Sequence, residues 1–417
     1  MNAEIIAVGS ELLTPDRIDT NSLFLTAALN RLGIEVTRKS VVGDDPSQLR
    51  DAFGGALERS DVIVSSGGLG PTEDDLTRET VAELLGRRLI LDDKILADIR
   101  ERFRRYKRPM PETNARQAMV PEGAEMLPNP RGTAPGLWLE ARGRIVILLP
   151  GPPGELEPMF EREVFPRLAK RSPGLRLYTR ELRIAGLPES DVEERVSGIY
   201  RQYPDVRITI LAVSTEIQLH PRLWSEDERE ANRLLDEMSE RFALALGENL
   251  FSTRGQTLEE VVAESLQRQT ATIAVAESCT GGMLAARLTN VPGSSTYFLG
   301  GIVCYSNEMK VSMVDVPLEI IEKHGAVSSE VALALAEGVR RRTDATIGVG
   351  ITGIAGPAGG TAEKPVGLVH VAMSDRAGSR DKAFQFAGDR QRIRLNATQA
   401  ALDSVRRYLL YATRAKE

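Results

Sequence analysis

The sequence predicts an α/β protein of three domains: a parallel-sheet domain over 1–172, a small α+β domain over 173–254 and a second α/β domain over 255–417. Three observations carry this reading. Short apolar runs alternate with amphipathic helical stretches as far as about Ala169, a pattern that gives parallel strands covered by helices on both faces. The alternation stops at Arg171–Leu175, where a Ser-Pro-Gly-Leu stretch interrupts it. A new helix start then stands at Thr257, whose TLEE motif places Glu260 to reach back to the cap.

In the first domain Glu4–Gly9, Glu35–Val42 and Asp61–Ser66 read as strands, and Asn21–Leu32 and Ser47–Arg59 as helices, with a further helix from about Asp74. The turns at Gly9, Gly67 and Pro150 all follow strands, so they are expected along one sheet edge, where such sheets bind ligands. The middle domain reads strand, helix, strand, strand, helix: LRIAG, ESDVEERVSGIY, VRITILAV, TEIQLHPRL and DEREANRLLDEMSERFALAL. With few chemical landmarks, it is expected to be a spacer or dimerisation module. The third domain offers strands at Thr272–Ala276, Phe298–Tyr305, Ala345–Ile351 and Gly367–Met373, and a long helix from about Arg390.

Composition excludes several classes. A net charge of −6 over 417 residues is not the basic footprint of a nucleic-acid binder. The basic run Arg100–Arg108, with Ile99 just before it and Phe103 within it, reads as the wet face of a helix rather than as an anionic-ligand site. Cys279 and Cys304 are too few for a disulfide framework, and His220, His324 and His370 are too scattered to spell out a metal centre or a serine–histidine triad. The N-terminus lacks a signal-peptide pattern, and no apolar run approaches the roughly 20 residues of a membrane span. A cytoplasmic chain with no membrane or direct nucleic-acid partner is expected, and a homodimer is the default.

The chemistry concentrates first at ATIAVAESCTGGMLAARLTN, an apolar strand, a polar turn and a helix. Such a turn directs backbone N–H groups outward at a helix N-terminus, where an anion is favoured. Gly281 and Gly282 permit close approach, and Ser278 and Thr280 supply hydroxyls; the alternative is that one of these hydroxyls is a simple helix cap. Other polar residues also end strands: Tyr305, Ser306, Asn307 and Lys310 after one, Thr352 and Gly353 after another, and Arg390 and Arg394 at a helix start. Without a nearby histidine, a serine nucleophile needs another base, and a lysine of depressed pKa is the usual substitute. The turn would then serve as oxyanion hole, with an arginine holding a phosphate.

The motifs AESCTGG, GSSTYFLGGIVCYSNEMK, HGAVS, GITGIAGPAGGTAEKPVG and GDR resemble the CinA C-terminal family over roughly Thr257–Glu417. That family includes nicotinamide mononucleotide deamidases. The resemblance implies amide hydrolysis to nicotinic acid mononucleotide and ammonia without a cofactor. It assigns Ser278 as nucleophile and Lys310 as base, with Tyr305 and Thr352 assisting. Thr280, Gly281, Gly282, Asn307, Gly353, Arg390 and Arg394 are expected at the substrate.

A second candidate site is DVIVSSGGLGPTEDDLT. Gly67, Gly68 and Gly70 allow a phosphate-cradling backbone. Asp74 and Asp75 could hold a divalent cation bridging phosphates, since Mg²⁺ needs only one or two carboxylates. The competing reading makes Thr72 a helix cap and both aspartates first-turn residues. VGSELLTPDRIDTN adds Glu11, Asp19 and Asn21 after the first strand, and IVILLPGPPGE ends another strand in a proline–glycine turn. Together these resemble the molybdopterin-binding fold and, more closely, the CinA N-terminal domain. That resemblance implies an ADP-ribose pyrophosphatase releasing AMP and ribose 5-phosphate with Mg²⁺, Mn²⁺ or Co²⁺. Glu11, Asp74 and Asp75 are then the metal ligands, and Gly67, Gly68, Gly70, Thr72, Asp19 and Asn21 meet substrate. Pro15 departs from the glycine that relatives often carry and stiffens its loop. Other classes in play are a molybdopterin-binding or transferring domain and a regulatory, competence-associated protein.

Overall fold

The computed structural model describes residues 1–172 and 174–414, with side chains as far as Tyr411. The chain forms two compact units, Met1–Tyr178 with Trp224–Ala231 and Thr179–Leu223 with Asn232–Glu417. The middle segment expected as a separate domain therefore falls largely within the second unit.

The first unit is built on strands β1 (Asn2–Val8), β2 (Glu35–Val42), β3 (Val62–Ser66), β4 (Glu125–Leu127), β5 (Gly136–Ala141) and β6 (Arg144–Leu149), in the order β2-β1-β3-β6-β5-β4. The first four in that order run parallel, as expected, but β5 and β4 join antiparallel. The reversal is made by a two-residue hairpin, Arg142–Gly143, with φ of 51° and 74°. Both central residues of such a turn need positive φ, and an arginine there gave no warning in sequence. Alternate residues bury to opposite faces. Ile5, Val64 and Ile147 pack with Leu25, Leu29 and Phe160, while Ile6, Ile63 and Val146 pack with Leu49 and Phe53. Burial on both faces is why these strands read as unbroken apolar runs.

Helices α1 (Asn21–Arg31) and α2 (Pro46–Arg59) lie within a residue of their expected bounds. Asp45 caps α2 by accepting the N–H groups of Ser47 and Gln48, with Pro46 in the first turn. Helix α3 (Thr77–Leu84) starts three residues later than expected, leaving Asp74 and Asp75 in the turn before it. Helix α4 (Asp93–Arg105) carries the basic run. Arg104 and Arg105 are exposed and paired with Glu101, as a wet face should be. Arg102 instead turns inward and donates to the Pro130 carbonyl.

In the second unit β7 (Leu182–Ile184), β8 (Arg207–Val213), β9 (Glu216–Ser225) and β10 (Leu250–Ser252) pair antiparallel in the order β8-β9-β7-β10. Helices α5 (Glu189–Tyr200) and α6 (Glu228–Leu246) complete the expected sequence of elements. Three-residue β10 was not expected.

The second sheet comprises β11 (Ile273–Glu277), β12 (Phe298–Val303), β13 (Ile347–Gly353), β14 (Leu368–Ser374) and β15 (Ser379–Gln385) in the order β12-β11-β13-β14-β15. The first three are parallel and the last two antiparallel. Its helices include α7 (Leu258–Arg268), α8 (Met283–Thr289), α9 (Asn307–Val314), α10 (Ser329–Thr343) and α11 (Arg390–Arg414). The Thr257 capping box forms as read, with the Thr257 N–H on Glu260 at 2.7 Å. Helix α10 packs directly on β13. A Cβ on Gly348 would lie 2.1 Å from the Ala336 carbonyl, so glycine here serves packing rather than a turn. Polar β15 was missed because it is an edge strand with little buried side chain. Among the described residues no helix is long and apolar enough to cross a membrane.

Candidate functional site

In the first unit the turns at Gly9, Gly67 and Pro150 do gather at the carboxyl edge of the parallel strands. They line one cleft of about 360 Å³ together with Glu11, Gly68, Gly70, Asp74 and Asp75. The glycines are demanded first by the protein itself. Gly67 has φ 101°, and a Cβ there would stand 2.1 Å from the Val8 carbonyl.

Behind this turn every carbonyl is tied down. Thr77 takes Gly67 through its hydroxyl (3.1 Å) and Gly68 through its N–H (3.2 Å). Arg78 reaches Leu69 (3.0 Å) and Gly70 (3.4 Å). Arg78 is 1% exposed, and burial pushes its guanidinium pKa down. With the carbonyls turned inward, the N–H groups of Gly68, Leu69 and Gly70 have no acceptor among the described residues. A run of outward N–H groups is an anion-binding concavity.

The Thr72 cap reading is corrected. Thr72 donates its N–H to Asp75 at 2.9 Å and its hydroxyl to the same oxygen, closing the loop before α3 rather than capping it. Glu11, Asp74 and Asp75 line the cleft, as do Asp44 and Glu155, which the sequence reading missed. Yet among the described residues no three His, Cys, Asp or Glu groups converge to hold a metal. The cleft instead offers carboxylates dispersed around an N–H cradle. That donor set suits a hard cation that keeps several waters and shares the ligand's phosphates. Asp19 accepts the Ser22 N–H at 3.0 Å and Asn21 donates to the Gly151 carbonyl at 2.7 Å, both at the start of α1.

In the second unit Ser278 follows β11 directly, 8% exposed, its N–H on the Ile351 carbonyl at 3.0 Å. The expected anion hole at α8 is corrected by a residue the sequence reading passed over. The Glu277 carboxylate, 1% exposed, accepts the N–H groups of Gly282 (3.0 Å), Leu284 (3.1 Å) and Ala285 (2.8 Å). The helix N-terminus thus holds the protein's own anion. The signal was present in AES: a glutamate ending a buried strand needs donors, and the following helix supplies them.

Arg394 seizes the other side of the turn, donating to the carbonyls of Cys279 (3.1 Å) and Thr280 (2.7 Å). It braces the turn rather than facing a ligand. Gly281 and Gly282, with φ of 60° and 93°, let the chain swing round between these two anchors. The Thr280 hydroxyl is fully buried and has no hydrogen-bond partner among the described residues. Burial raises the Cys279 thiol pKa to about 12, so it stays protonated at neutral pH.

Lys310 is 1% exposed on α9 and donates to the carbonyls of Cys304 (3.1 Å), Tyr305 (3.1 Å) and Ser306 (3.5 Å). Burial lowers its pKa, while the nearby Glu308 carboxylate acts the other way. Among the described residues no hydrogen bond joins Lys310 to Ser278. The Thr352 hydroxyl donates to the Ala326 carbonyl at 2.7 Å. A Cβ on Gly353 would meet Val369 at 2.7 Å, so packing alone demands glycine there. Exposed Tyr305 accepts from Arg390 at 2.9 Å, and Arg390 also holds the Gly356 carbonyl at 2.8 Å. Asn307 is exposed in the first turn of α9, beside the Ser306 cap.

The fold and these turns define a multidomain α/β protein whose polar chemistry sits where parallel strands end. Residues 255–409 match the CinA C-terminal domain, residues 4–170 a probable molybdopterin binding domain, and residues 179–252 the damage-inducible protein CinA KH domain. The chain belongs to the CinA family. It is 50% identical over 407 residues to a CinA-like protein of Solibacter usitatus, covering 98% of each chain. It is 45% identical over 410 residues to a putative competence-damage inducible protein of Acetivibrio thermocellus, covering 98% of this chain and 99% of that one. Among solved structures, the competence/damage inducible protein CihA from Agrobacterium tumefaciens matches at 40% identity and TM-score 0.35, covering 35% of this chain and 90% of that chain. The middle segment, expected to be a spacer or dimerisation module, is KH-like.

Proposed function

We propose that this chain is a bifunctional pyridine-nucleotide hydrolase with two separate sites. The second unit hydrolyses nicotinamide mononucleotide to nicotinic acid mononucleotide and ammonia, and the first cleaves ADP-ribose to AMP and ribose 5-phosphate. One observation carries the reading. Each strand-end turn has its carbonyls pulled back by an arginine, Arg78 or Arg394, so that N–H groups or hydroxyls remain to meet a ligand. The substrates follow from the resemblance to the CinA domains.

At the second site Ser278 Oγ attacks the carboxamide carbon and its proton passes to neutral Lys310. Ammonia leaves with that proton, and water then releases the acid from the serine ester. Burial favours the neutral amine, whereas the three carbonyls around Nζ favour the ammonium, so Lys310 must let go of a carbonyl to act. Arg390, linked to Tyr305, is the cation for the substrate phosphate, since Glu277 fills the helix N-terminus.

At the first site the Gly68–Gly70 N–H groups hold the pyrophosphate against attack by water. One or two of Glu11, Asp74 and Asp75, with waters and the ligand's own phosphates, would hold a divalent cation, which when bound offsets the charge of the phosphates. The lining carboxylates would otherwise repel them. We further propose a cytoplasmic homodimer without direct nucleic-acid contact. KH modules clamp nucleotides with a GXXG loop, and Thr179–Ser252 contains no such tetrapeptide.

The test is to assay the full chain and Ser278→Ala against both substrates, with and without divalent metal. Ser278→Ala should stop ammonia release and leave ADP-ribose cleavage intact; loss of both, or of neither, overturns the two-site scheme. The match to a molybdopterin binding domain favours one other reading of the first unit. Turnover of molybdopterin in place of ADP-ribose would establish it.

A further inference from the structure

Cleavage of a phosphoanhydride by water calls for a group that takes the water's proton. One carboxylate of the glycine-turn cleft is held differently from the rest. Glu155 stands in the first turn of the helix Pro153–Met159, its N–H on the Pro152 carbonyl at 2.9 Å. It is partly exposed and lines the cleft together with Gly67, Gly68 and Gly70. Its Oε2 accepts Asn129 Nδ2 at 2.7 Å, while Oε1 has no hydrogen-bond partner among the described residues. Asp75, by contrast, is engaged by the N–H and hydroxyl of Thr72, and Asp44 by the Ser10 N–H at 2.8 Å, so those two shape loops.

Asn129 is itself fixed. Its Oδ1 accepts the N–H groups of Arg131 (3.0 Å) and Gly132 (2.8 Å), so the amino end faces Glu155 and the Ala134 carbonyl (2.8 Å). Arg131 fastens the same loop, the connection between β4 and β5, to the Gly154 carbonyl at 3.0 Å. A Cβ on Gly132 would stand 1.7 Å from Glu155 Oε2, so the loop is bare where the carboxylate lies against it. One oxygen held by an oriented third group, with the other left open, is the arrangement of a base that activates a nucleophile.

We propose that Glu155 is the general base of phosphoanhydride cleavage in the first unit, with Asn129 as its positioning residue. The oxygen of water attacks one phosphorus of the diphosphate, and one water proton passes to Glu155 Oε1. The bond from that phosphorus to the bridging oxygen breaks, and its electron pair leaves with the other phosphate. Glu155 then returns the proton to solvent. The inference rests on the reading of the first unit as a pyrophosphatase, and it names the group that accepts the proton.

The experiment is steady-state cleavage of ADP-ribose and of ADP-glucose by the full chain with Mg²⁺. Glu155→Gln keeps the side chain's shape and its bond to Asn129. It should lower kcat about 100-fold or more and leave KM, the Mg²⁺ concentration for half-maximal rate and the thermal midpoint unchanged. Added formate should raise the rate of Glu155→Ala about tenfold and do nothing for Glu155→Gln, because only the alanine variant leaves room for a free carboxylate. Asn129→Asp keeps the acceptors for Arg131 and Gly132 but loses the donor to Glu155. It should lower kcat about tenfold at constant KM and add nothing on top of Glu155→Gln. Normal cleavage by Glu155→Gln defeats this inference alone. A loss that extra Mg²⁺ restores makes Glu155 a ligand of the cation and also overturns it, as does a Glu155→Ala that formate does not help. If Glu155→Gln does not fold, Glu155→Ala with and without formate decides the matter. An Asn129→Asp effect that persists beside Glu155→Gln overturns the positioning role. Cleavage of ADP-glucose alone, lost in Glu155→Gln, defeats the ADP-ribose reading and leaves the base in place. A native chain that cleaves neither compound overturns both.

Discussion

Ala285 gives its backbone N–H to the Glu277 carboxylate at 2.8 Å, across the turn that presents Ser278. Gly282 and Leu284 donate to the same group, so one buried side chain from the end of β11 satisfies the start of α8. The turn is therefore shaped from within. Glu277→Ala would strand three N–H groups, each a loss of roughly 1–3 kcal/mol when buried. The expected result is a fall of about 10 °C in the thermal midpoint of a unit this size, together with loss of ammonia release. Glu277→Gln keeps one acceptor but turns an amino group on the N–H cluster, so it should fall between the two. Calorimetry and an ammonia assay on the same samples check both. An unchanged midpoint for Glu277→Ala would show that the cap contributes nothing.

Much of this was legible in the sequence, and what was not has identifiable causes. The strand Val62–Ser66 announced itself because both of its faces are covered and its first three residues are apolar, whereas Glu35–Val42 is an edge strand that was legible from its β-branched residues rather than from burial. Thr257 and Glu260 spelled out their reciprocal bonds four letters at a time. The hairpin at Arg142–Gly143 did not, because arginine at positive φ breaks the turn rule that would have revealed it. Edge strand Ser379–Gln385 carries little buried surface, so little apolar pattern was written there. At the candidate sites, the sequence pointed to Ser278, Lys310 and Gly67–Asp75 but not to which groups were already spent. Glu277, Arg394 and Arg78 are partners of backbone atoms, and backbone partners leave no letters in a motif.

The ammonia-releasing activity should titrate with Lys310. Burial is the first cause of its lowered pKa, so the neutral amine proposed to accept the Ser278 proton appears below the ordinary lysine value of 10.5. The neutral fraction rises with pH, and kcat/KM should climb through that lowered pKa and level off above it. Lys310→Arg keeps the charge but cannot deprotonate in this range. It should flatten the limb and reduce the rate about a thousandfold, within the scale of general-base catalysis. A pH–rate profile of both proteins checks this. A limb that persists in Lys310→Arg belongs to another group.

Arg390 and Tyr305 meet at 2.9 Å from opposite elements, and Tyr305 is 59% exposed. If Arg390 receives the substrate phosphate, Arg390→Ala should raise KM for nicotinamide mononucleotide about 10- to 100-fold with a smaller change in kcat. Tyr305→Phe removes only the acceptor that steadies the guanidinium and should raise KM a few-fold. Steady-state kinetics separate these outcomes. A fall in kcat at constant KM would move Arg390 from binding the ground state to acting in the transition state.

Arg78 does at the first site what Arg394 does at the second, with more at stake because it is wholly buried. Its bonds to the Leu69 and Gly70 carbonyls keep those groups turned away from the cleft. Lysine at this position has a single flexible ammonium and cannot span both carbonyls from one planar fork. Arg78→Lys should therefore free the loop to rotate and present carbonyl oxygens where the phosphates bind. The expected outcome is a loss of ADP-ribose cleavage of about a hundredfold, the scale set by misplacing a positioned group. Ammonia release by the second unit should continue at the native rate, because Arg78 belongs to the first. Assaying both activities on one preparation guards against a general folding defect. If Arg78→Lys cleaves ADP-ribose normally, the turn holds its shape without the fork, and the outward N–H row owes its direction to Gly67 and Thr77 alone.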